Sequence, residues 1–349
     1  MRVVVIGATG NVGTSLVEAL AADPRVTSIL GVARRRPGWT AGKTEWAQAD
    51  VTTADLVPLL RGADVAVHLA WLFQPTHRPM VTWRNNVLGS ARVFRAVADA
   101  GVPALVYASS VGAYSPGPKD RRVDEHWQTH GWPMAAYSRE KAYVERLLDS
   151  FQVVNPDCRV VRLRPGFIFK RESATQQRRL FMGPLVPNRL VRPGLIPVVP
   201  DFPGLRFQVL HADDVREAYR LAITGDARGP FNLAADPVVG ARELASLLGA
   251  RIVRVPAAGV RAMLAAGWGL GLVPASPQLF DLARHIPIMD TGRARRELGW
   301  TPRHSSLEAL EEFLRGLREG AGMDTPPLSP GTGGPMRIRE LTTGVGHRP

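Results

Sequence analysis

Tyr137 and Lys141 stand four residues apart in Tyr137-Ser138-Arg139-Glu140-Lys141, a spacing that puts both side chains on one face of a helix. A tyrosine at its ordinary pKa near 10 is a poor base at neutral pH. A fixed ammonium beside it favours the phenolate and brings it toward the working range, so the pair has the parts of a general acid–base. Only four of the 44 basic residues are lysine, at positions 43, 119, 141 and 170. Lysine kept at 141 in so arginine-rich a chain argues for a compact, titratable cation there, which the flat and permanently charged arginine fork is not. Upstream, residues 104–114 read as a strand that carries Ser109 and Ser110, near the edge where open α/β sheets place ligands.

The start of the chain offers a nucleotide-binding element. The β-branched run Val3-Val4-Val5-Ile6 breaks into Gly7-Ala8-Thr9-Gly10-Asn11-Val12-Gly13 and then into helical spacing over 11–22. In such a strand–turn–helix, Gly7 permits the tight turn, Gly10 lets the backbone approach a pyrophosphate, and Gly13 allows close helix–strand packing. Asn11 and Val12 open the helix, whose unpaired N–H groups face the anion. A second apolar run, Ile29-Leu30-Gly31-Val32, ends about 20 residues on, where a fold that selects NAD carries an acid for the ribose hydroxyl. Position 33 is alanine, followed by Arg34 and Arg35, and guanidinium forks suit a 2′-phosphate. NADP is the expected cofactor, with NAD as the alternative.

The spacing Gly7-x-x-Gly10-x-x-Gly13 resembles the short-chain dehydrogenase/reductase superfamily, and Gly-Ala-Thr-Gly-Asn-Val-Gly is similar to its extended, NAD-dependent epimerase/dehydratase-like branch. Asn85-Asn86-Val87-Leu88-Gly89-Ser90 resembles the Asn-Asn-Val-x-Gly-Thr of that branch, and Ser109-Ser110 with Tyr114 its Ser-Ser-x-x-x-Tyr. The resemblance implies that Tyr137 is the acid–base and that Ser110 hydrogen-bonds the reacting oxygen, Ser109 being the alternative one residue away. It further implies that Lys141 holds the cofactor ribose and that Asn86 steadies the catalytic helix and strand. By the same resemblance Asp50 and Val51 flank the adenine, Leu69 and Ala70 lie under the cofactor, and Pro165 sits beside the nicotinamide. Asp50 would equally serve as the cap of a helix starting near Thr53. Two departures stand out. Trp71-Leu72-Phe73 replaces small residues and predicts a bulky apolar edge on the substrate side. Phe167 stands two residues after Pro165, where nucleotide-sugar members of the family carry asparagine. Further landmarks at 207–215, 229–233 and 298–302 extend the resemblance over residues 1–315.

The expected fold is α/β, a doubly wound parallel Rossmann sheet with a smaller C-terminal substrate lobe. Residues 1–165 would form the core, completed by about 205–235, with 166–204 and 236–315 forming the lobe. Residues 320–349, rich in Gly, Pro, Ser and Thr, read as a flexible tail. Hydrophobic content of 45% against 21% charged residues is that of a soluble globular chain. A formal charge of +13 would ordinarily suggest nucleic acid or anionic membrane. The arginines are dispersed, with no basic stripe among aromatics, so neither partner is expected. The apolar stretch 262–275 is too short to span a bilayer and reads as a buried or interface helix. One cysteine, Cys158, rules out an intrachain disulfide framework, and with no signal peptide in view a reducing cytoplasm is expected. His68 reads as a strand residue. His126 and His130 are spaced i, i+4 among Trp, Gly and Pro and read as a surface loop, so no metal site is expected.

In the extended branch the helices near 80–100 and 135–154 meet their twins across a two-fold axis. Val87, Phe94 and Val97, with Tyr143, Leu147 and Phe151, supply apolar positions at helical spacing, so a homodimer is expected. The functional expectation is an NAD(P)-dependent oxidoreductase acting on a small-molecule carbonyl or carbinol. The alternatives are a sugar-nucleotide epimerase that retains NAD and a non-catalytic NADP-binding sensor. Val111-Gly112, where dehydratases of the family carry Asp-Glu, speaks against dehydration.

Overall fold

The computed structural model describes residues 1–185, 192–333 and 340. Its centre is a parallel sheet of seven strands: β1 (Arg2–Ile6), β2 (Ser28–Ala33), β3 (Thr44–Gln48), β4 (Val65–His68), β5 (Ala104–Ala108), then Arg159–Pro165 and Gly229–Leu233. Across the sheet the order runs Gly229–Leu233, Arg159–Pro165, β5, β4, β1, β2, β3. The chain winds outward from β1 in one direction through β2 and β3, then returns to β4 on the other side. The reversal leaves a crevice beyond the carboxyl ends of β1 and β4, the place such sheets offer a ligand.

Alternation of side chains explains why both faces are covered. Val3, Val5, Val67, Val106 and Val161 point to one face, beneath helix α1 (Asn11–Ala22) and the helix Ala212–Thr224. Val4, Ile6, Ala66, Leu105 and Val160 point to the other. There, after the short helices α2 (Val57–Leu60) and α3 (Pro79–Trp83), they meet α4 (Gly89–Asp99) and α5 (Ala136–Val154). Each such valine or leucine is essentially inaccessible and contributes about 1.5–3 kcal/mol relative to exposure.

The single helix predicted over 80–100 is three pieces in line: α3, a π-helical turn at Arg84–Leu88, and α4. The wide turn holds Asn86, fully buried, as π-bulges at functional sites do. The strand predicted over 104–114 stops at Ala108, because Ser110 turns the chain by accepting a hydrogen bond from Gly112 N at 2.9 Å and capping the 3-10 turn Val111–Ala113.

The rest of the chain is small two-stranded pairings and short helices, among them Phe167–Phe169 beside Val209–His211 and Val198–Asp201 beside Arg251–Arg254. The stretch read as a buried or interface helix is the helix Ala257–Gly269, and none of its residues is buried. Among the described residues no helix is long and apolar enough to cross a membrane.

The largest departure from expectation is at 320–349. Residues 321–333 are packed onto the body of the protein. Leu328 is fully buried, Thr175 Oγ1 donates to Ala321 O at 2.7 Å, and the Trp39 N–H donates to Asp324 O at 3.0 Å. Glu340 makes a buried ion pair with Arg178. Backbone groups bonded to the core, together with Leu328, hold a segment whose polar and proline-rich composition gave no periodic signal. The remainder of the expected tail, 334–339 and 341–349, lies outside the described residues.

Candidate active site

Tyr137, Lys141 and Glu145 follow at four-residue intervals along the inward face of α5. Lys141 Nζ donates to Ala108 O at 2.6 Å and stands 3.5 Å over the Trp71 ring. Glu145 receives Ser109 Oγ at 2.6 Å, Arg164 Nε at 2.9 Å and Arg162 Nη1 at 2.9 Å. Burial alone would raise its pKa, but the Arg164 and Arg162 guanidiniums and the Ser109 hydroxyl outweigh burial and bring the carboxyl down to about 2. A charged Glu145 therefore ties β5 and the strand Arg159–Pro165 to the helix that carries Tyr137.

This pairing separates the two serines. Ser109 is committed to Glu145, and Ser110 is the hydroxyl left beside Tyr137, where it pulls the phenol's pKa down. Gly112 makes the approach possible, since a Cβ there would lie 2.6 Å from the Tyr137 ring. Burial pushes the phenol up to about 12, against the pull of Ser110. Lys141 is driven well below its ordinary value by burial, partly offset by Glu145 and Glu140. The expected lowering of Tyr137 by Lys141 is absent from this geometry, because the ammonium is turned to the Ala108 carbonyl and the Trp71 face. The phenol is thus protonated at neutral pH, and the same burial makes it a weaker acid than a free tyrosine.

Asn86 does not reach the reacting end. Its Nδ2 donates to Leu72 O at 2.8 Å and to Glu140 Oε2 at 2.6 Å, while Oδ1 accepts from Leu72 N at 2.7 Å. It fixes the backbone between Trp71 and Phe73, and Thr82 Oγ1 completes the cluster with a 2.6 Å bond to Glu140. His68 is buried in its strand, bonded to Ser90 Oγ at 2.9 Å, and burial together with Lys141 lowers its pKa to about 3.

Next to this cluster a cavity of about 700 Å³ runs from the glycine turn past Ser110, Tyr137 and Lys141 to an aromatic wall. Gly7 (φ +93°) passes so close to β4's end that a Cβ would stand 2.6 Å from Ala70 N, and a Cβ on Gly13 would strike Gly7 O at 2.5 Å. At Gly10 the nearest atom to a Cβ is 3.6 Å away, leaving room above the start of α1, where Gly10 brings no side chain to cap the helix. Asn11 Oδ1 is buried without a partner. This cradle fits a dinucleotide pyrophosphate. Val12, Arg34, Arg35, Val51, Leu69, Ala70 and Pro165 line the same cavity. Asp50 does not. Its carboxylate accepts from Thr52 N at 2.8 Å and Thr52 Oγ1 at 2.7 Å, an Asx turn. It caps no helix at Thr53 either, since α2 begins at Val57.

One part of the site had no sequence signal. Thr325 Oγ1 donates to Thr9 O inside the glycine turn at 3.0 Å, and Pro326 and Pro327 join the cavity lining. Buried Arg179 holds Pro327 O through Nη2 at 2.9 Å. Glu145 and Glu140, by contrast, were legible in principle: Glu145 continues the Tyr137, Lys141 stripe by one more turn. His211, Asp213 and His304 also converge, with ligand atoms within 4.8 Å of one another. Both His211 nitrogens are engaged, by Asp213 N and by Glu312, and His304 Nδ1 by Asp214.

An uncharacterised protein of Mycobacterium tuberculosis is 25% identical over 324 residues, covering 90% of this chain and 83% of that one. A 4-hydroxy-2-methyl-3-oxo-4-farnesyl-3,4-dihydroquinoline-1-oxide ketoreductase of Stigmatella aurantiaca is 27% identical over 343 residues, covering 92% and 98%. Among solved structures, the UDP-glucose 4-epimerase of Thermus thermophilus in complex with NAD superposes with a TM-score of 0.66 at 18% identity, covering 91% of this chain and 99% of that one. Residues 3–234 match the family model described as NAD dependent epimerase/dehydratase family. The chain belongs to that family.

Proposed function

We propose that the protein is an NAD(P)-dependent oxidoreductase, working as a ketoreductase: a hydride passes to a carbonyl carbon while Tyr137 gives the oxygen its proton. The observation that carries this reading is the placement of Ser110, Tyr137 and Lys141 together on the wall of the cavity that opens over the glycine turn. When bound, the nicotinamide supplies the hydride. The Ser110 hydroxyl orients the substrate oxygen, and the Tyr137 O–H transfers its proton to the oxygen as the C–H bond forms, leaving an alcohol and a phenolate. Lys141, one helical turn on, can steady the phenolate only once its amine is protonated and turns from the Ala108 carbonyl and the Trp71 face. Asn86 and Glu140 act by positioning Trp71 and Leu72.

Arg34 and Arg35 line the cavity directly after Ala33, which supports NADP over NAD. Val87, Phe94, Val97 and Phe151 are buried against the protein's own sheet, while Leu88 and Tyr143 are 51% and 46% exposed. These two supply the outer stripe for a homodimer. The Stigmatella ketoreductase supports net reduction, and Phe167, set where sugar-nucleotide members carry asparagine, weighs against epimerisation.

Heating the purified protein and identifying the released nucleotide tests the reading. Exchangeable NADP is expected. NAD that stays bound through turnover would overturn it in favour of epimerisation.

A further inference from the structure

The substrate end of the cavity differs in chemistry from the dinucleotide end. Phe73 lies on Tyr137 and touches Phe181 edge-on, with ring centroids 5.5 Å apart. Phe167 meets Phe207 at 5.4 Å and Phe202 meets Phe280 at 5.2 Å. All six phenylalanines line the one cavity.

Of the polar side chains near them, Gln74, Gln177 and Ser276 are bonded within the protein, while Gln176 lines the cavity without a bonded partner among the described residues. Gln74 Nε2 donates to Leu180 O and Pro274 O, and its Oε1 accepts from Thr76 N. Gln177 Nε2 donates to Ile168 O, and Ser276 Oγ caps its helix at Leu279 N. Among the described lining residues no carboxylate is present, and the charged groups are Arg34, Arg35, Lys141 and Arg284. The first two stand at the glycine-turn end and Lys141 is engaged beneath Tyr137. That leaves Arg284, whose Nε donates to Pro203 O at 2.8 Å while its guanidinium lies 5.6 Å over Phe280. A nucleotide diphosphate brings two negative charges, and placing them in such a wall opposite one cation costs more than the contacts return. A hydrocarbon or fused-ring body gains from the same wall, by area and by ring-to-ring contact.

We infer that the substrate is a bulky lipophilic ketone, or the corresponding secondary alcohol, and not a sugar nucleotide. Its oxygen meets Tyr137 and Ser110, and its apolar body lies among the phenylalanines. The inference rests on the oxidoreductase reading for where the oxygen sits, but binding tests it separately from turnover.

The experiment titrates 2-alkanones from 2-hexanone to 2-dodecanone into the full-length protein carrying NADP, by calorimetry, and repeats the 2-dodecanone titration in the presence of UDP-glucose. Affinity is expected to rise roughly fourfold per added methylene until the wall is filled, with UDP-glucose without effect. Equal affinity along the series, or displacement of 2-dodecanone by UDP-glucose, overturns the inference. Phe181→Ala and Phe202→Ala should each weaken 2-dodecanone about tenfold and leave 2-hexanone nearly unchanged, with melting curves to confirm folding. Equal weakening of both ketones counts against the wall. Nicotinamide absorbance on parallel samples carrying NADPH in place of NADP separates the two claims: chain-length-dependent binding without oxidation of NADPH supports the substrate class and refutes the oxidoreductase, whereas reduction indifferent to chain length does the reverse.

Discussion

Phe73 lies flat on Tyr137, ring centroids 4.7 Å apart and planes 14° from parallel, while Trp71 meets the same tyrosine edge-on at 5.9 Å. The phenol is therefore closed in by rings from the 69–75 loop, and that enclosure raises its pKa. Tyr137→Phe keeps the ring packing and removes only the proton. Turnover is expected to fall by about 10²-fold or more while cofactor titration on the same preparation stays within a factor of two or so, a phenol-to-phenyl change leaving the cradle intact. Activity above roughly a tenth of the original would remove Tyr137 from the chemistry.

Glu145 gives a signed pH dependence. Its carboxyl titrates near 4.5 when unperturbed and at about 2 in the folded protein, so between those values the unfolded chain binds the proton more readily. The stabilisation is complete above the unfolded pKa and is lost as pH falls through the window toward 2. Glu145→Gln leaves Arg164 buried without its anion and Arg162 with Asp149 alone, and should cost roughly 3–5 kcal/mol at pH 7. Denaturant melts between pH 5 and 2, about the carboxylate range, should show a shallower loss of stability for the variant.

The 2′-phosphate assignment turns on Arg34 and Arg35. Replacing both with alanine should weaken NADP about tenfold or more and NAD little, because only the former loses charge-assisted bonds. Parallel titrations with the two nucleotides measure the ratio, and an unchanged ratio would return these arginines to the general arginine excess of the chain.

Thr325→Val removes the bond to Thr9 O without changing side-chain shape. One neutral hydrogen bond is worth about 1 kcal/mol, so cofactor dissociation followed by stopped flow should quicken about fivefold. An unchanged rate would leave the 321–333 segment as packing alone.

Light scattering at micromolar concentration addresses assembly. Twice the 38.0 kDa chain mass is expected, and Leu88→Arg on the outer stripe should return the particle to one chain mass. A single-chain mass for the unaltered protein, constant on concentration, would refute the dimer.

Local signals carried the core and the ends of the site. The apolar alternation at 3–6, the glycine spacing and the Tyr137, Lys141 stripe each depend on neighbours within two turns or one strand, and those elements lie where the sequence indicates. What escaped depends on distance in sequence. Asp50, placed beside the adenine by resemblance, has its Oδ1 bonded to Thr52 two residues on and lies outside the cavity lining. Arg178 and Arg179 gave no signal of their own because Glu340 and Pro327, their buried partners, lie 162 and 148 positions away. The Lys141–Tyr137 coupling failed for a related reason: one helical turn brings the residues near, but the carbonyl of Ala108 and the ring of Trp71 decide where the ammonium points.

The Thr325 bond to Thr9 spans 316 positions, and that separation becomes time during synthesis. At roughly 5–20 residues per second, about 15 to 60 s pass between the appearance of the glycine turn and of the threonine that closes over it. Until residue 325 has been made, the glycine turn lacks the hydroxyl and the prolines that close over it in the finished protein.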